Sequence, residues 1–445
     1  MRRPIVLSAI ISVLISIFSI SFGYISIWIL FLLLLVLMVY YIIAVKQTKY
    51  LFVFIIAILT VLNTLLTYAA KINPVKNLND ENFRINCTVL ENDYNEYSLN
   101  YIVKVTSCTN KTLVGHKMLL CSGGEDFSIG DEINCDIVIE KFISQETKWR
   151  NFSENIFVRG SIYHAKTTGK VNWLYRGLAK LRSYIENILF QNVEYNEAST
   201  ITAVLLGNRS YHSLQFENNV INSGVGHVMV VSGMHMTILC GGFFKFCKRI
   251  FLNKRLVSIL SIIFTLFFMA LCGFTPSVLR AGIMYFVLLI SFISLRRRDA
   301  LTSLSAAVVI IVLMNPFIVG SISFCLSAAS TAGIIILNPV LVALFKIENV
   351  RSRVLKYLLN CLTVTLSALA FTLPISIVAF GGVSLVCILS NILISFAVTL
   401  MLSVSSVGII LRSQPVLLIG GWLSTYVNSV INYLGELPFS YVSLI

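Results

Sequence analysis

The opening stretch "MRRPIVLSAIISVLISIFSISFGYI" (residues 1–25) has two arginines followed by an apolar run, the outline of an export signal. A second apolar block, residues 25–45, follows at once, and no small-residue cleavage site separates the two. The stretch therefore reads as a retained first membrane span. A third run covers residues 50–70, and each run has the roughly 20 residues needed to cross about 30 Å of hydrocarbon. Across all 445 residues, 57% are hydrophobic and only 12% charged, far from the balance of a soluble domain. The fold class expected is a polytopic α-helical membrane protein.

From Lys71 to Asn172 the composition changes: charges become frequent, and turn pairs such as Gly123-Gly124 and Gly130-Asp131 appear. Phe83, Ile85, Cys87 and Val89 alternate with polar residues, as do Ile133, Cys135, Ile137 and Ile139, the period of two of a half-buried strand. With "YIVKVTS", "KMLLCS" and "IFVRGSIYHAK", about five strands result. A small closed barrel buries five strands without exposed edges, and the oligonucleotide-binding (OB) barrel has that size. The domains expected are three N-terminal transmembrane helices (1–70), an inserted extracytoplasmic OB-like β domain (71–172), an amphipathic helix and connector (173–225) and a transmembrane core (226–445).

In the connector, Leu174, Leu178, Leu181, Ile185 and Ile188 recur at helical spacing opposite Arg176, Lys180 and Arg182. Such a helix lies on a membrane surface or packs on the barrel; both readings stay open. Eight further spans are expected, at 228–247, 256–274, 277–295, 300–315, 318–345, 356–379, 384–411 and 416–437, about eleven in all. With a cytoplasmic N-terminus, 17 of the 22 Lys and Arg outside the insert fall in inside loops, as the positive-inside rule requires. The insert and the C-terminus then face outward. Cys87, Cys108, Cys121 and Cys135 lie in that outward domain, where a disulfide and small buried thiols are both open readings.

Polar groups inside a bilayer are costly and mark function by default. "GVGHVMVVSGMHMTIL" (224–239) brings His227, Ser232 and His235 into a span, with Gly226 and Gly233 allowing close approach or a break. On one regular helix the two histidines would lie about 80° apart. "CGFTPSVLRAGIM" (272–284) places Pro276 at a helix start, where it costs no hydrogen bond, and Arg280 one turn inside. That arginine either snorkels to the interface or faces a polar interior. Ser327, Ser330, Pro374 and Asn391 are weaker candidates of the same kind. No GxSxG elbow, HExxH, paired CxxC or Walker A pattern occurs. Intramembrane hydrolysis and a metal centre are therefore disfavoured, and no cofactor is expected.

"LLGNRS" (205–210), "INSGVGHVMVVSGMHMTIL" (221–239), "GFTPSVLRAGIM" (273–284), "RRRDALTSLSAAVVIIVLMNPF" (296–317), "ISFCLSAASTAGI" (322–334) and "TLPISIVAFGGVSLVCILSNIL" (372–393) resemble, in the same order, the ComEC competence family. The resemblance implies an inner-membrane channel component that passes single-stranded DNA into the cytoplasm during natural transformation. It implies that Arg209, His227, Ser232, Gly233, His235, Pro276, Ser277, Arg280 and Gly282 surround the passage. It further implies partnership with other competence proteins: a DNA receptor, a cytoplasmic helicase motor and a separate nuclease. The chain has Asn208 where the family usually has Asp. It also lacks the HxHxDH cluster of the metallo-β-lactamase-like domain that many relatives carry, so nuclease activity is not expected of it.

A difficulty attends the barrel as a DNA receiver, because residues 71–172 hold 12 Lys and Arg against 13 Asp and Glu, which gives no attractive field for a polyanion. Local contact with DNA or lipid is expected instead around Lys141, Lys148, Trp149 and Arg150, and at Arg176, Lys180 and Arg182. The alternative to DNA passage is transport of a small solute.

Overall fold

A computed structural model describes residues 4–22, 24–45, 50–75, 78, 81–95, 98–122, 127–139, 148–229, 231–293 and 299–443. In chain order the elements are α1 (Pro4–Phe22), α2 (Tyr24–Val45), α3 (Leu51–Thr67), β1 (Asn82–Asn95), β2 (Ser98–Cys108), β3 (Lys117–Ser122), β4 (Asp131–Ile139), α4 (Lys148–Ser153) and β5 (Ile156–Val171). There follow α5 (Trp173–Asn192), α6 (Tyr195–Leu206), α7 (Leu214–Asn222), α8 (Gly233–Ile250), α9 (Lys254–Leu271), α10 (Pro276–Ile293), α11 (Ala300–Met314) and α12 (Ile322–Leu344). The last are α13 (Arg353–Phe380), β6 (Gly382–Ser384), α14 (Cys387–Leu411), α15 (Gln414–Gly435) and β7 (Tyr441–Ser443). They form two compact units, one of residues 1–181 with 305–321 and one of 182–304 with 322–445.

In the first unit, α1 carries buried serines at 8, 12, 16 and 19, all along one face. Small hydroxyl residues let membrane helices approach closely. Three of the hydroxyls donate to the preceding turn: Ser8 to Pro4 O at 3.1 Å, Ser16 to Ser12 O at 3.0 Å and Ser19 to Ile15 O at 2.7 Å. The facing helix α3 answers with Thr60 and Thr64, and Ser12 Oγ meets Thr60 Oγ1 at 3.3 Å.

The five strands close into a barrel of order β1-β2-β3-β5-β4, antiparallel except for the parallel β3–β5 pair. This is the expected five-stranded barrel, with the strand order of an OB fold. Alternation decides what is inside: Ile85, Cys87, Val89, Val103, Val105, Met118, Leu120, Ile133, Cys135 and Ile137 are all buried, each contributing roughly 1.5–3 kcal/mol if fully transferred from water. Gly160 lets β5 approach β4, because a Cβ there would stand 3.0 Å from Val138 O. Cys87 and Cys135 point into the core with their sulfurs 3.9 Å apart, and the four barrel cysteines are free thiols. Of the disulfide and thiol readings, the structure holds the thiols.

The protein is a multi-pass membrane protein, but the span count differs from the eleven expected. Seven helices among the described residues are long and apolar enough to cross: Pro4–Phe22, Tyr24–Tyr41, Leu51–Ile72, Lys254–Leu271, Ile322–Leu344, Arg353–Phe380 and Cys387–Leu411. Helices do occupy the four other places. The apolar parts of α10 and α11, Pro276–Ile290 and Ala300–Met314, are short. α15 is polar because it is used inward: Asn428 Oδ1 accepts from Thr200 at 2.8 Å and Asn432 Oδ1 from Asn219 at 3.0 Å. α8 begins only at Gly233, five residues later than the apolar run suggests, and ends in Lys245, Lys248 and Arg249.

In the second unit α6 is a short central helix, buried continuously from Ala198 to Leu206 and, at 12 residues, about 18 Å long. α12 and α13 run through Pro339 and Pro374 without interruption, so the long span expected at 318–345 is one continuous helix from Ile322 onward. At their crossing a Cβ on Gly333 would strike Ser367 O.

Candidate functional site

The expected site residues lie in the second unit, on the connector after α6, the turn before α8 and the first turns of α8 and α10. α6 stops at Gly207, whose φ of +77° is open to glycine and strained for other residues. Asn208 Oδ1 then accepts from Ser210 N and Oγ at 3.1 and 2.7 Å, closing an Asx turn. Its amide donates to Glu186 Oε1 at 2.9 Å, and Tyr211 OH donates to Glu186 Oε2 at 3.0 Å. Arg182 stands 3.9 Å from the same carboxylate and donates to Leu206 O at 2.8 Å.

Arg209 turns the other way. Its Nη2 donates to Gly226 O at 2.9 Å and its Nε to Met229 O at 3.3 Å, while Nη1 lies 3.6 Å from Glu217 Oε2. His212 Nδ1 meets Glu217 Oε1 at 2.8 Å. That hydrogen bond, followed by the charge of Arg209, holds the Glu217 carboxyl below its ordinary range. Arg209 is thus the strut of the segment that carries His227.

That segment is not helical. Ser223 ends α7, Gly224 takes φ +73°, and a Cβ on Gly224 would lie 2.6 Å from the Cys387 Cβ. His227 therefore stands in a turn, and the expectation that it lies on one regular helix with His235 is corrected. His227 stands near Asn391 of α14 and keeps an exposed face. Ser232 caps α8: its Oγ accepts from Met234 N at 3.2 Å, and His235 Nδ1 accepts from Ser232 N at 2.9 Å. This capping box fixes the His235 tautomer, since Nδ1 must be the unprotonated nitrogen. His235 is completely buried.

Arg280 sits on α10, 5% exposed. It does not snorkel. Its Nε donates to Ser327 Oγ at 2.9 Å and its Nη1 to Thr331 Oγ1 at 2.6 Å, both on α12, and Ser277 Oγ meets Ser327 Oγ at 3.1 Å. Among the described residues no carboxylate lies beside it. Its Nη2 lies 3.5 Å from where a Cβ on Gly233 would be, so the guanidinium faces the N-terminus of α8. A cation and the positive end of a helix dipole converge there without a protein anion between them. The sequence deepens this bias, because no Asp or Glu occurs between Glu217 and Asp299.

Pro276 occupies the first position of α10. Gly282 packs against α9, where a Cβ would strike the Met269 sulfur, so its part is helix approach. In the first unit, Trp149 is 38% exposed and Arg150 lies 3.7 Å from Glu154. Arg176 and Lys180 are exposed on α5, Arg176 beside Gly130 of the barrel. α5 thus begins against the barrel while its other end buries Glu186 and Leu189. Lys141 and the side chain of Lys148 lie outside the described residues. No group of three or more metal-ligating side chains gathers among the described residues. Thr331, Glu186 and the Glu217–His212 pair emerge only from the three-dimensional contacts; the one hint of Glu186 in sequence is its place one turn after Arg182.

The profile of a family described as "Competence protein" matches residues 204–445, more than half of the chain, including Arg209, His227, Ser232, His235 and Arg280. The chain belongs to this competence family. A relative is ComE operon protein 3 of Bacillus subtilis (strain 168), 29% identical over 170 residues. That match covers 38% of this chain and 22% of the relative, so under a quarter of the relative's length is represented. No solved structure matches this competence-family chain.

Proposed function

We propose that this chain is the inner-membrane passage for single-stranded DNA in natural transformation, with the groups around Arg280 bordering the strand. One observation carries the reading: a buried guanidinium, held by hydroxyls and facing a helix N-terminus, has no carboxylate among the described residues to balance it. A charge in such a place is tolerable when the site is wet or when an anion visits it. Each phosphate of a passing strand supplies such an anion in turn. Ser232, His235, Ser277, Ser327 and Thr331 form the polar border on this side. His227 with Asn391, held up by Arg209, forms another.

In this proposal the four shorter or more polar helices cross along with the seven apolar ones. The N-terminus is cytoplasmic and the barrel extracytoplasmic, because that orientation puts the basic loops inside. In this reading the chain works with other competence proteins, among them a DNA receptor and a cytoplasmic motor. The same uncompensated cation also suits a small anionic solute, since transporters aim helix N-termini at anionic substrate groups.

Cytoplasmic uptake of labelled DNA by a deletion strain complemented with this chain separates the two. Restored uptake of DNA that is lost again in Arg280→Met supports passage of the strand. Solute uptake with no DNA requirement would overturn it.

A further inference from the structure

The far end of α8 carries a second concentration of positive charge that the passage does not use. Between Lys245 and Arg255 stand Lys245, Lys248, Arg249, Lys254 and Arg255, all exposed, around the turn that joins α8 to α9. Positive-inside topology accounts for net basic charge here; it does not account for how the charges are arranged. Lys248 and Lys254, from the two sides of the turn, both lie over the Phe292 ring, at 5.9 and 6.0 Å from its centre. Phe246 and Phe251 are exposed between the cations, at 61% and 36%. Asn253 Oδ1 accepts from Arg255 N at 2.9 Å, which fixes the start of α9 and the direction of its basic pair.

The chemistry is that of a single-strand platform: cations spaced for phosphates with aromatic faces open between them for bases. The turn's own stretch of chain brings no carboxylate, since none occurs from residue 218 to residue 298. α8 has 18 residues and is about 27 Å long. One rigid helix therefore links the capped Ser232–His235 end at the candidate passage to this turn, across nearly the thickness of the hydrocarbon.

We propose that the α8–α9 turn is a second binding site for single-stranded nucleic acid, which takes up the strand as it leaves the passage. This rests on the passage reading above. The proposal commits to a partner that offers phosphates and stacked bases together, for which Phe246 and Phe251 supply open ring faces between the cations.

The test uses the full chain in nanodiscs of phosphatidylcholine, which carry no net headgroup charge and leave both faces open, so inverted insertion cannot imitate the effect. Binding of a fluorescent oligo(dT) is measured from 50 to 300 mM salt for the wild type and for K245Q/K248Q/K254Q/R255Q. Neutralising four contacts should lower the slope of log affinity against log salt by about 2.8, at about 0.7 per phosphate contact on a single strand, and weaken binding at 50 mM salt by at least tenfold. K245R/K248R/K254R should keep the wild-type slope, and F246A/F251A should weaken binding with the slope unchanged. An unaltered slope in the fourfold Gln variant overturns the inference while wild-type binding leaves the passage intact. A wild type that does not bind the oligonucleotide removes both. In a parallel arm, retention of phosphatidylglycerol by the purified wild type and the fourfold Gln variant is compared; loss confined to phosphatidylglycerol assigns the turn to lipid and also overturns the inference.

Discussion

Replacing Arg280 and replacing its partners should have opposite consequences. Arg280→Met removes two hydrogen bonds to a charged group, at 2.9 and 2.6 Å, about 1.5–3 kcal/mol each. It also removes the penalty of holding a cation that is 5% exposed, itself several kcal/mol. The two terms nearly cancel, so the variant should unfold within about 1–2 kcal/mol of the wild type. Ser327→Ala with Thr331→Val keeps the cation and removes its acceptors, which should destabilise by about 3–5 kcal/mol, as for a buried charge stripped of its partner. Thermal unfolding in nanodiscs reads both. DNA uptake in cells reads function, which Arg280→Met should lower at least a hundredfold while the protein still reaches the membrane. A pair of results in which Arg280→Met unfolds the protein and the double variant does not would refute this reasoning, since Arg280 would then be a structural tie.

Asn208→Asp replaces a donor to Glu186 by a second carboxylate at 2.9 Å and should destabilise by roughly 1–3 kcal/mol; adding Glu186→Gln should restore the wild-type melting temperature, and failure to do so would separate the two residues. Gly333→Ala drives a methyl into Ser367 O at the α12–α13 crossing and should cost about 1–3 kcal/mol, read as lower thermal stability of the purified protein. His116, buried with its Nε2 donating to Lys71 O at 3.1 Å, is held below its ordinary 6.5 chiefly by desolvation. The unfolded chain therefore binds this proton first as pH falls, so the contribution is complete above about pH 6.5 and declines below it. His116→Gln should flatten that decline in unfolding measured from pH 7.5 to 5; an unchanged slope would remove His116 from the explanation.

How much could be read in advance depended on the range of the signal. The barrel was legible because period-two alternation is local: Cys87 and Cys135, picked out with their strands, both point into the core. The start of α8 was misplaced because residues 228–231 are apolar, whereas the backbone there is set by Gly224 and by the Ser232–His235 cap. A histidine in the third helical position stands where Glu or Gln usually completes such a box. Arg280 was visible as a polar residue in an apolar run, and Ser277 through the family resemblance. Their partner Thr331 was not, because the contact joins residues 51 apart on different helices. Glu186 was hidden for the same reason, as its meeting with Asn208 spans 22 residues. The span count differs at α15 because polar residues that pack inward lower the hydropathy of a helix as much as polar residues facing water, and at α8 because the helix starts late and ends in the exposed Lys245, Lys248 and Arg249.

The central claim is that the groups around Arg280 border the route of a single strand. It is tested most directly by placing a photo-crosslinking residue at Ser277 or Ser327, and as controls at Ile259 and Trp422, which are 52% and 72% exposed on the helix exteriors, and irradiating cells during uptake of labelled DNA. The account predicts DNA crosslinks at 277 and 327 and none at 259 and 422. Absence of crosslinks at the first pair, or equal yields at all four, would contradict it.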